Sequence, residues 1–188
     1  KQCVKDVVML SGGGIIHLVD GLACNDNLNI VCLHHEQSVS MAVESYSKKT
    51  GNLGVGYFTC GPGATNAITG LAGAWLDSIS CLFISGQVKR KDSIIKSGVS
   101  GIRQIGVQEI NILPVIESLT KYSAFVDDPN DIREHLEKAV FYAKEGRPGP
   151  VWLDIPLDVQ AAYIETETLK GFVSFEQQER VSNSELHL

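Results

Sequence analysis

Short apolar runs alternate with longer stretches of helical periodicity along most of the chain. The runs predict strands near residues 5–10, 29–34, 53–60, 80–85, 122–126 and 150–155. The stretches between them predict helices at 15–24, 37–50, 64–77 and 131–145. This alternation favours an α/β fold: a doubly wound, about six-stranded parallel sheet with helices on both faces. Runs such as 30–33 and 151–153 are continuously hydrophobic, which predicts strands that are covered on both faces.

The composition argues against two classes of partner. The formal net charge is −6, and the longest basic cluster, residues 89–91, is typical of a solvated loop. We therefore expect no nucleic acid and no membrane as partner, since both require clustered Lys and Arg. The five cysteines lack CxxC spacing and fall mostly inside apolar runs. They are interpreted as reduced core residues of a cytoplasmic protein, and no metal site is expected from them.

The ends of the chain suggest its domain organisation. Residues 1–164 are expected to form one domain whose first helix is truncated, because an α/β domain usually has a helix before a strand that begins so early. Residues 165–188 are polar and acidic, which favours a linker or tail.

Residues 86–108 are irregular, with glycines at 98, 101 and 106. A loop of this length inside a domain is often functional.

Glu36 lies where a predicted strand ends and a predicted helix begins. A glutamate in the first turn of a helix is favoured by the helix dipole, by about 0.3–1 kcal/mol, with no function implied. The apolar strand before it predicts partial desolvation, which favours a carboxyl group that donates a proton near neutral pH. His34 and His35 precede it, and we expect one to be packed and the other solvated, shaping the pocket rather than reacting.

Glycine-rich turns follow two other predicted strands. Gly12, Gly13 and Gly14 open the first helix, and residues 61–66, including Pro62 and Asn66, open the third. Such turns let a ligand approach the backbone, although a plain capped helix is an equal alternative for the glycines at 61 and 63. Because the carboxyl ends of parallel strands meet at one edge, the turns and Glu36 are expected there together. A nucleotide-binding Rossmann domain is disfavoured because the first loop lacks G-x-G-x-x-G spacing.

Together these segments resemble the N-terminal, pyrimidine-binding domain of thiamine-diphosphate-dependent enzymes, and among them the acetolactate synthase group. The resemblance covers about residues 5–160. In chain order, its motifs are Gly12-Gly-Gly-Ile-Ile-His-Leu-Val-Asp20, His35-Glu-Gln37, Gly61-Pro-Gly-Ala-Thr-Asn66, Gly86-Gln-Val88, Gln108-Glu109 and Gly146-Arg-Pro-Gly-Pro-Val-Trp-Leu-Asp-Ile-Pro156.

The resemblance implies a role for each candidate residue. Glu36 would hydrogen-bond N1′ of the cofactor's aminopyrimidine and promote its imino tautomer, which deprotonates the thiazolium C2. A decarboxylating carboligase acting on a 2-keto acid is the implied enzyme, with the hard chemistry carried by the cofactor. Pro62 and Asn66 would line the pyrimidine site, Gly12 to Gly14 would border the reacting carbon, and Gln108 would face the substrate side.

Two departures from the pattern concern the substrate channel. Lys89 stands where Gly-Gln-Val is commonly followed by proline, and Leu10 and Ser11 replace an aromatic residue and a proline. A carboligase with a different acceptor, such as a keto-sugar, therefore stays open beside acetolactate formation.

The chain contains no Gly-Asp-Gly, the segment with which the family anchors the diphosphate through Mg²⁺. The resemblance thus implies a diphosphate-binding domain in the same or a partner subunit, a homodimer or higher assembly, and an isolated chain that is inactive. A non-catalytic or regulatory module, or a split subunit, is the alternative.

Overall fold

A six-stranded, all-parallel open sheet forms the centre of the domain in the computed structural model, which describes residues 4–174. The strand order is β2-β1-β3-β4-β6-β5. This arrangement confirms the predicted α/β class. The strands are β1 Asp6–Met9, β2 Asn29–Cys32, β3 Gly54–Phe58, β4 Cys81–Gln87, β5 Tyr122–Phe125 and β6 Val151–Pro156.

Helices cover both faces of the sheet, as predicted. One core cluster joins the sheet to α1, α7 and α8, and the other joins it to α2, α3, α4 and α6. The helices are α1 Ile16–Ala23, α2 Glu36–Thr50, α3 Pro62–Asn66, α4 Ile68–Leu76, α5 Ile94–Ser97, α6 Leu113–Ile116, α7 Ile132–Lys144 and α8 Leu157–Gln160. In the described part, 3₁₀ turns occupy Gly13–Ile15, Arg90–Asp92, Glu117–Leu119 and Pro129–Asp131.

Close packing on one face sets the position of α2. A Cβ atom on Gly70 of α4 would lie only 2.3 Å from Ser40 Oγ and 2.6 Å from the Ser40 carbonyl carbon, so only glycine allows this approach. Beneath the helices, the rings of Phe58, Phe83 and Trp152 stack with centroids 5.5–5.7 Å apart. Such stacking of large buried rings contributes strongly to a core. The helix that begins at Glu36 is thereby held firmly against the sheet.

The predicted burial is correct for central strands and wrong for an edge strand. Every residue of β4 and β6 is buried, whereas β2 lies at the edge, and Val31 on it is 40% exposed. The run is apolar enough to suggest two covered faces, but β2 has a neighbouring strand only in β1, and of its four residues only Ile30 packs against a core cluster. Cys24 and Cys32 are exposed free thiols, so among the four cysteines within residues 4–174 the prediction of core residues is correct for Cys60 and Cys81 alone; Cys3 lies outside the described residues.

Two other predicted segments differ in detail. The helix predicted at 64–77 begins at Pro62 and is interrupted at Ala67, giving α3 and α4. The stretch 86–108 is less irregular than expected, because β4 continues to Gln87 and short helical turns follow at Arg90–Asp92 and Ile94–Ser97. β4 pairs with β3 on one side and with β6 on the other, and its pairing with β6 continues as far as Gln87. These neighbours make the strand longer than its own sequence pattern predicts.

Part of the predicted linker contacts α7. The Phe172 ring lies 5.4 Å from that of Phe141, and its backbone N–H donates to Glu137 at 2.8 Å. Residues 175–188 of the predicted linker lie outside the described residues, and the domain boundary stays a prediction. Within residues 4–174, no helix is both long enough and apolar enough to cross a bilayer.

Candidate functional site

The candidate site lies at the point where the strand order reverses. From β1 the chain passes outward to β2, and then returns to the other side of β1 to form β3 and β4. Helices leave β1 and β3 on opposite faces, which opens a crevice at the carboxyl ends of these two strands. Glu36, the triple-glycine turn and residues 61–66 follow β2, β1 and β3, so all three reach this edge.

Glu36 is the first residue of α2. The helix is capped by His35, whose Nδ1 accepts a hydrogen bond from the Gln37 N–H at 3.1 Å. His34 and His35 are both exposed, so the prediction that one of them is packed was wrong. The cap places the Glu36 side chain at the crevice in a half-buried position, which agrees with the predicted partial desolvation.

The Glu36 carboxylate contacts the turn after β3. Its Oε2 accepts a hydrogen bond from Asn66 Nδ2 at 3.0 Å. Its Oε1 lies 3.0 Å from where a Cβ atom on Gly63 would be, so a side chain at that position would crowd the carboxylate. Gly63 therefore gives the carboxylate its space, and Asn66 fixes its orientation. Pro62, the first residue of α3, is exposed beside them.

The triple-glycine turn packs against Thr59, which follows β3. The Gly14 N–H donates to Thr59 Oγ1 at 3.1 Å, and a Cβ atom on Gly12 would lie 2.5 Å from Thr59 Cβ. Gly13 has open space around its Cα and is exposed. Two of the three glycines are thus explained by packing, and Gly13 is the one that presents bare backbone to the crevice.

Gln108 reaches the same turn from the segment after α5. Gly61 has a positive φ of 58°, and a Cβ atom there would lie 1.7 Å from the Gln108 carbonyl oxygen. Gln108 itself has a φ of 60°, which is uncommon for a residue other than glycine, and its side chain is exposed. The structure thus brings the predicted substrate-side residue to the glycine turn by a backbone contact.

Lys89 lies one strand further along the edge, after β4. It is exposed and lines a cavity of about 350 Å³ together with Val107 and Leu157. The nearby Glu109 is buried, and its carboxylate accepts from the N–H groups of Ile94, Ile105 and Gly106 at 2.5–3.2 Å. Glu109 therefore ties its own loop to the start of α5.

A buried polar network lies directly below the edge. Asp154 on β6 is 1% exposed and accepts from Ser85 Oγ at 2.6 Å and from Gln87 Nε2 at 3.0 Å. Trp152 Nε1 donates to Ser85 Oγ at 2.8 Å. Burial raises the pKa of Asp154 to about 7, against the opposing effect of its two hydrogen bonds.

Sequence comparison agrees with this geometry. Residues 1–105 match the family model described as "Thiamine pyrophosphate enzyme, N-terminal TPP binding domain". The chain belongs to this family.

Relatives within the thiamine pyrophosphate family include acetolactate synthases. The large subunit of Pyropia yezoensis is 37% identical over 85% of this chain, and the chloroplastic enzyme of Arabidopsis thaliana is 38% identical over 85%. The isozyme 3 large subunit of Escherichia coli K12 is 37% identical over 84% of the chain. The matches cover 26%, 22% and 26% of these relatives, so the chain spans about a quarter of their length.

Sequence reasoning missed two parts of this thiamine pyrophosphate domain. Thr59 was overlooked because the sequence around it does not indicate that it contacts Gly14, which lies 45 residues earlier in the chain. The role of Asp154 had a signal, since a carboxylate inside a continuous hydrophobic strand is almost never buried without partners. Those partners, Ser85 and Gln87, lie on the neighbouring strand and could be assigned only from the sheet register.

Proposed function

We propose that the chain forms the pyrimidine-binding half of a thiamine diphosphate site in a decarboxylating carboligase that acts on a 2-keto acid. Glu36 is its proton-handling residue. The proposal rests on one observation above all: at the switch point of the sheet, the Glu36 carboxylate accepts a hydrogen bond from Asn66 and lies beside the space that Gly63 leaves open. A half-buried carboxyl group in a crevice at this point is suited to exchange a proton with a ring nitrogen.

The residues present fit the pyrimidine end of thiamine diphosphate. Glu36 offers a carboxyl group, Asn66 an amide, and Gly13 unobstructed backbone at the crevice. When bound, the cofactor would supply an electron sink for cleaving the bond between a keto acid's carbonyl carbon and its carboxylate. Glu36 would hold or release the proton at the ring nitrogen, and Pro62 with the glycine turn would fix the plane of the ring.

We infer that the diphosphate and its Mg²⁺ are held by another domain of the same or a partner subunit, in a homodimer or higher assembly. Mg²⁺ requires several oxygen ligands in octahedral geometry. Among residues 4–174, no three side chains of His, Cys, Asp or Glu cluster as metal ligands, and the sequence contains no Gly-Asp-Gly. The chain alone is therefore expected to be inactive.

The acceptor substrate is a second question. The cavity beside Lys89 brings an exposed ammonium group, Asp92 and apolar side chains together in about 350 Å³. This volume is sufficient for a small organic molecule. An ammonium group and a carboxylate that line one cavity with apolar neighbours suit a hydroxylated acceptor such as a keto-sugar, which supports this alternative beside acetolactate formation.

The decisive experiment is Glu36→Gln in the full-length protein. With saturating thiamine diphosphate and Mg²⁺ and pyruvate as the probe substrate, we expect turnover to fall by about a hundredfold or more, since positioned acid–base groups contribute about 10²–10⁴. The glutamine keeps the size of the side chain and its contact with Asn66, so folding should be unaffected.

Glu44→Gln is the matched control. Glu44 lies in the same helix, is half-buried, and packs against Gly73 away from the crevice. It should keep turnover within about twofold of the unmodified protein. Equal turnover in both variants would contradict the role of Glu36. A full-length protein that binds the cofactor but converts no keto acid would instead favour the non-catalytic module.

A further inference from the structure

We propose that Gln87, oriented by Asp154, is a positioning residue that seats residues 104–112 on the sheet and so delivers Gln108 to the glycine turn. This proposal rests on the proposed function for its link to substrate. The link from buried Asp154 through Gln87 to Ile110 is made by hydrogen bonds and does not depend on the proposed function.

All the polar atoms of the Gln87 side chain are bonded, and the residue is 1% exposed. Its Nε2 donates to Ile110 O at 2.9 Å and to Asp154 Oδ2 at 3.0 Å. Its Oε1 accepts from the Val88 N–H at 3.0 Å. The amide therefore joins the end of β4 to the backbone of a segment far along the chain.

Asp154 fixes which way this amide points. If the amide were rotated by half a turn, Oε1 would face the Ile110 carbonyl oxygen and the ionised Asp154 carboxylate, and both of these are acceptors. Turning the carboxylate would not remove this mismatch, because both of its oxygens are acceptors when it is ionised; in the structure Oδ1 accepts from Ser85 Oγ at 2.6 Å. Asp154 thus selects the one orientation in which Gln87 can hold Ile110.

The segment needs such a tie because it has little regular structure. Within the described residues, no helix or strand lies between Gly98 and Ile112. Glu109 accepts from the N–H groups of Ile105 and Gly106 in its own loop and from Ile94 at the start of α5, and none of these residues belongs to the sheet. The bond from Gln87 attaches it at Ile110, two residues beyond Gln108 and nearer to Gln108 than the buried Ile112.

The tie determines the backbone at Gln108. This residue has a positive φ of 60°, and its carbonyl oxygen occupies the space that Gly61 leaves. A strained conformation persists only where surrounding contacts over-determine it. Loss of the Gln87 bond should release Gln108 from the turn that also carries Gly63 and the Glu36 carboxylate.

The test compares Gln87→Met with Ser85→Ala in the full-length protein. Gln87→Met keeps a side chain of similar length but has no donor for Ile110. Ser85→Ala also removes one hydrogen bond to Asp154 but leaves the bond to Ile110 intact. In Gln87→Met we expect hydrogen exchange of the amides at 104–112 to be about tenfold faster and the KM for pyruvate to rise about tenfold, with kcat nearly unchanged.

Ser85→Ala should change neither quantity by more than about twofold. Should Gln87→Met fail to fold, Gln87→Glu replaces the donor with an acceptor at nearly the same volume and should loosen the same amides. Exchange at 104–112 that is the same in the Gln87 variants and in Ser85→Ala overturns the positioning role. A wild-type protein without turnover overturns the proposed function instead, and the exchange comparison still decides the structural link.

Discussion

Asp154→Asn should abolish a fall in stability between pH 4 and pH 8. Asp154 is 1% exposed, and burial raises its pKa from 3.8 to about 7. In this interval the folded protein keeps a proton that the unfolded chain releases, so the free energy of unfolding falls as pH rises. The stabilising contribution is fully present below about pH 4 and is lost as pH passes through 7.

The structure gives the magnitude. At about 1.36 kcal/mol for each pKa unit, a rise from 3.8 to about 7 corresponds to about 4 kcal/mol. Asparagine fits the same space, because its amide N–H can face Ser85 Oγ while its oxygen keeps the bond from Gln87. The free energy of unfolding of Asp154→Asn, relative to the unmodified protein, should therefore increase by about 4 kcal/mol from pH 4 to pH 8.

Urea unfolding followed by tryptophan fluorescence measures this difference, since the buried Trp152 lies in the same network. Ser85→Ala gives a second test of the sign: it removes a hydrogen bond that lowers the Asp154 pKa, so the fall should move to higher pH. The reasoning is refuted if the difference between Asp154→Asn and the unmodified protein is constant across the interval, or has the opposite slope.

Two further predictions concern packing and thiol reactivity. Gly70→Ala should lower the free energy of unfolding by about 2 kcal/mol or more, because its methyl group would meet the Ser40 backbone at 2.6 Å. Gly21→Ala, at a helix position with open space around it, should raise the free energy of unfolding by about 0.5–1 kcal/mol. If thermal unfolding shows Gly70→Ala to be the more stable of the two variants, the close contact between α4 and Ser40 of α2 is contradicted. Iodoacetamide should modify exposed Cys32 in the native protein and spare buried Cys81, because burial raises the pKa of the Cys81 thiol. Peptide mapping that finds the two cysteines equally alkylated would refute this.

The sequence predicted the sheet well because its central strands are hydrophobic on both faces. The runs that became β4 and β6 needed no knowledge of their neighbours to be recognised. β2 was equally apolar, yet its exposure depends on its being at the edge, and strand order is a property of the whole sheet. The same limitation explains the exposed Cys32.

The candidate site divides in a similar way. Glu36 and residues 61–66 could be placed at one sheet edge from strand ends alone, and their motifs identified the family. That Asn66 hydrogen-bonds the Glu36 carboxylate and that Gly63 leaves space for it could be seen only in the tertiary structure. The close approach of the Gln108 carbonyl oxygen to Gly61 could also be seen only there, and both residues have a positive φ.

By itself, then, the sequence determined the fold class and the residues that reach the carboxyl edge, because periodicity and turn residues act locally along the chain. Only the tertiary structure decided how those residues meet. The bonds from Asp154 to Gln87 and from Gln87 to Ile110 span 67 and 23 residues. Hydrogen bonds over such separations depend on strand order and register, and no local pattern encodes them.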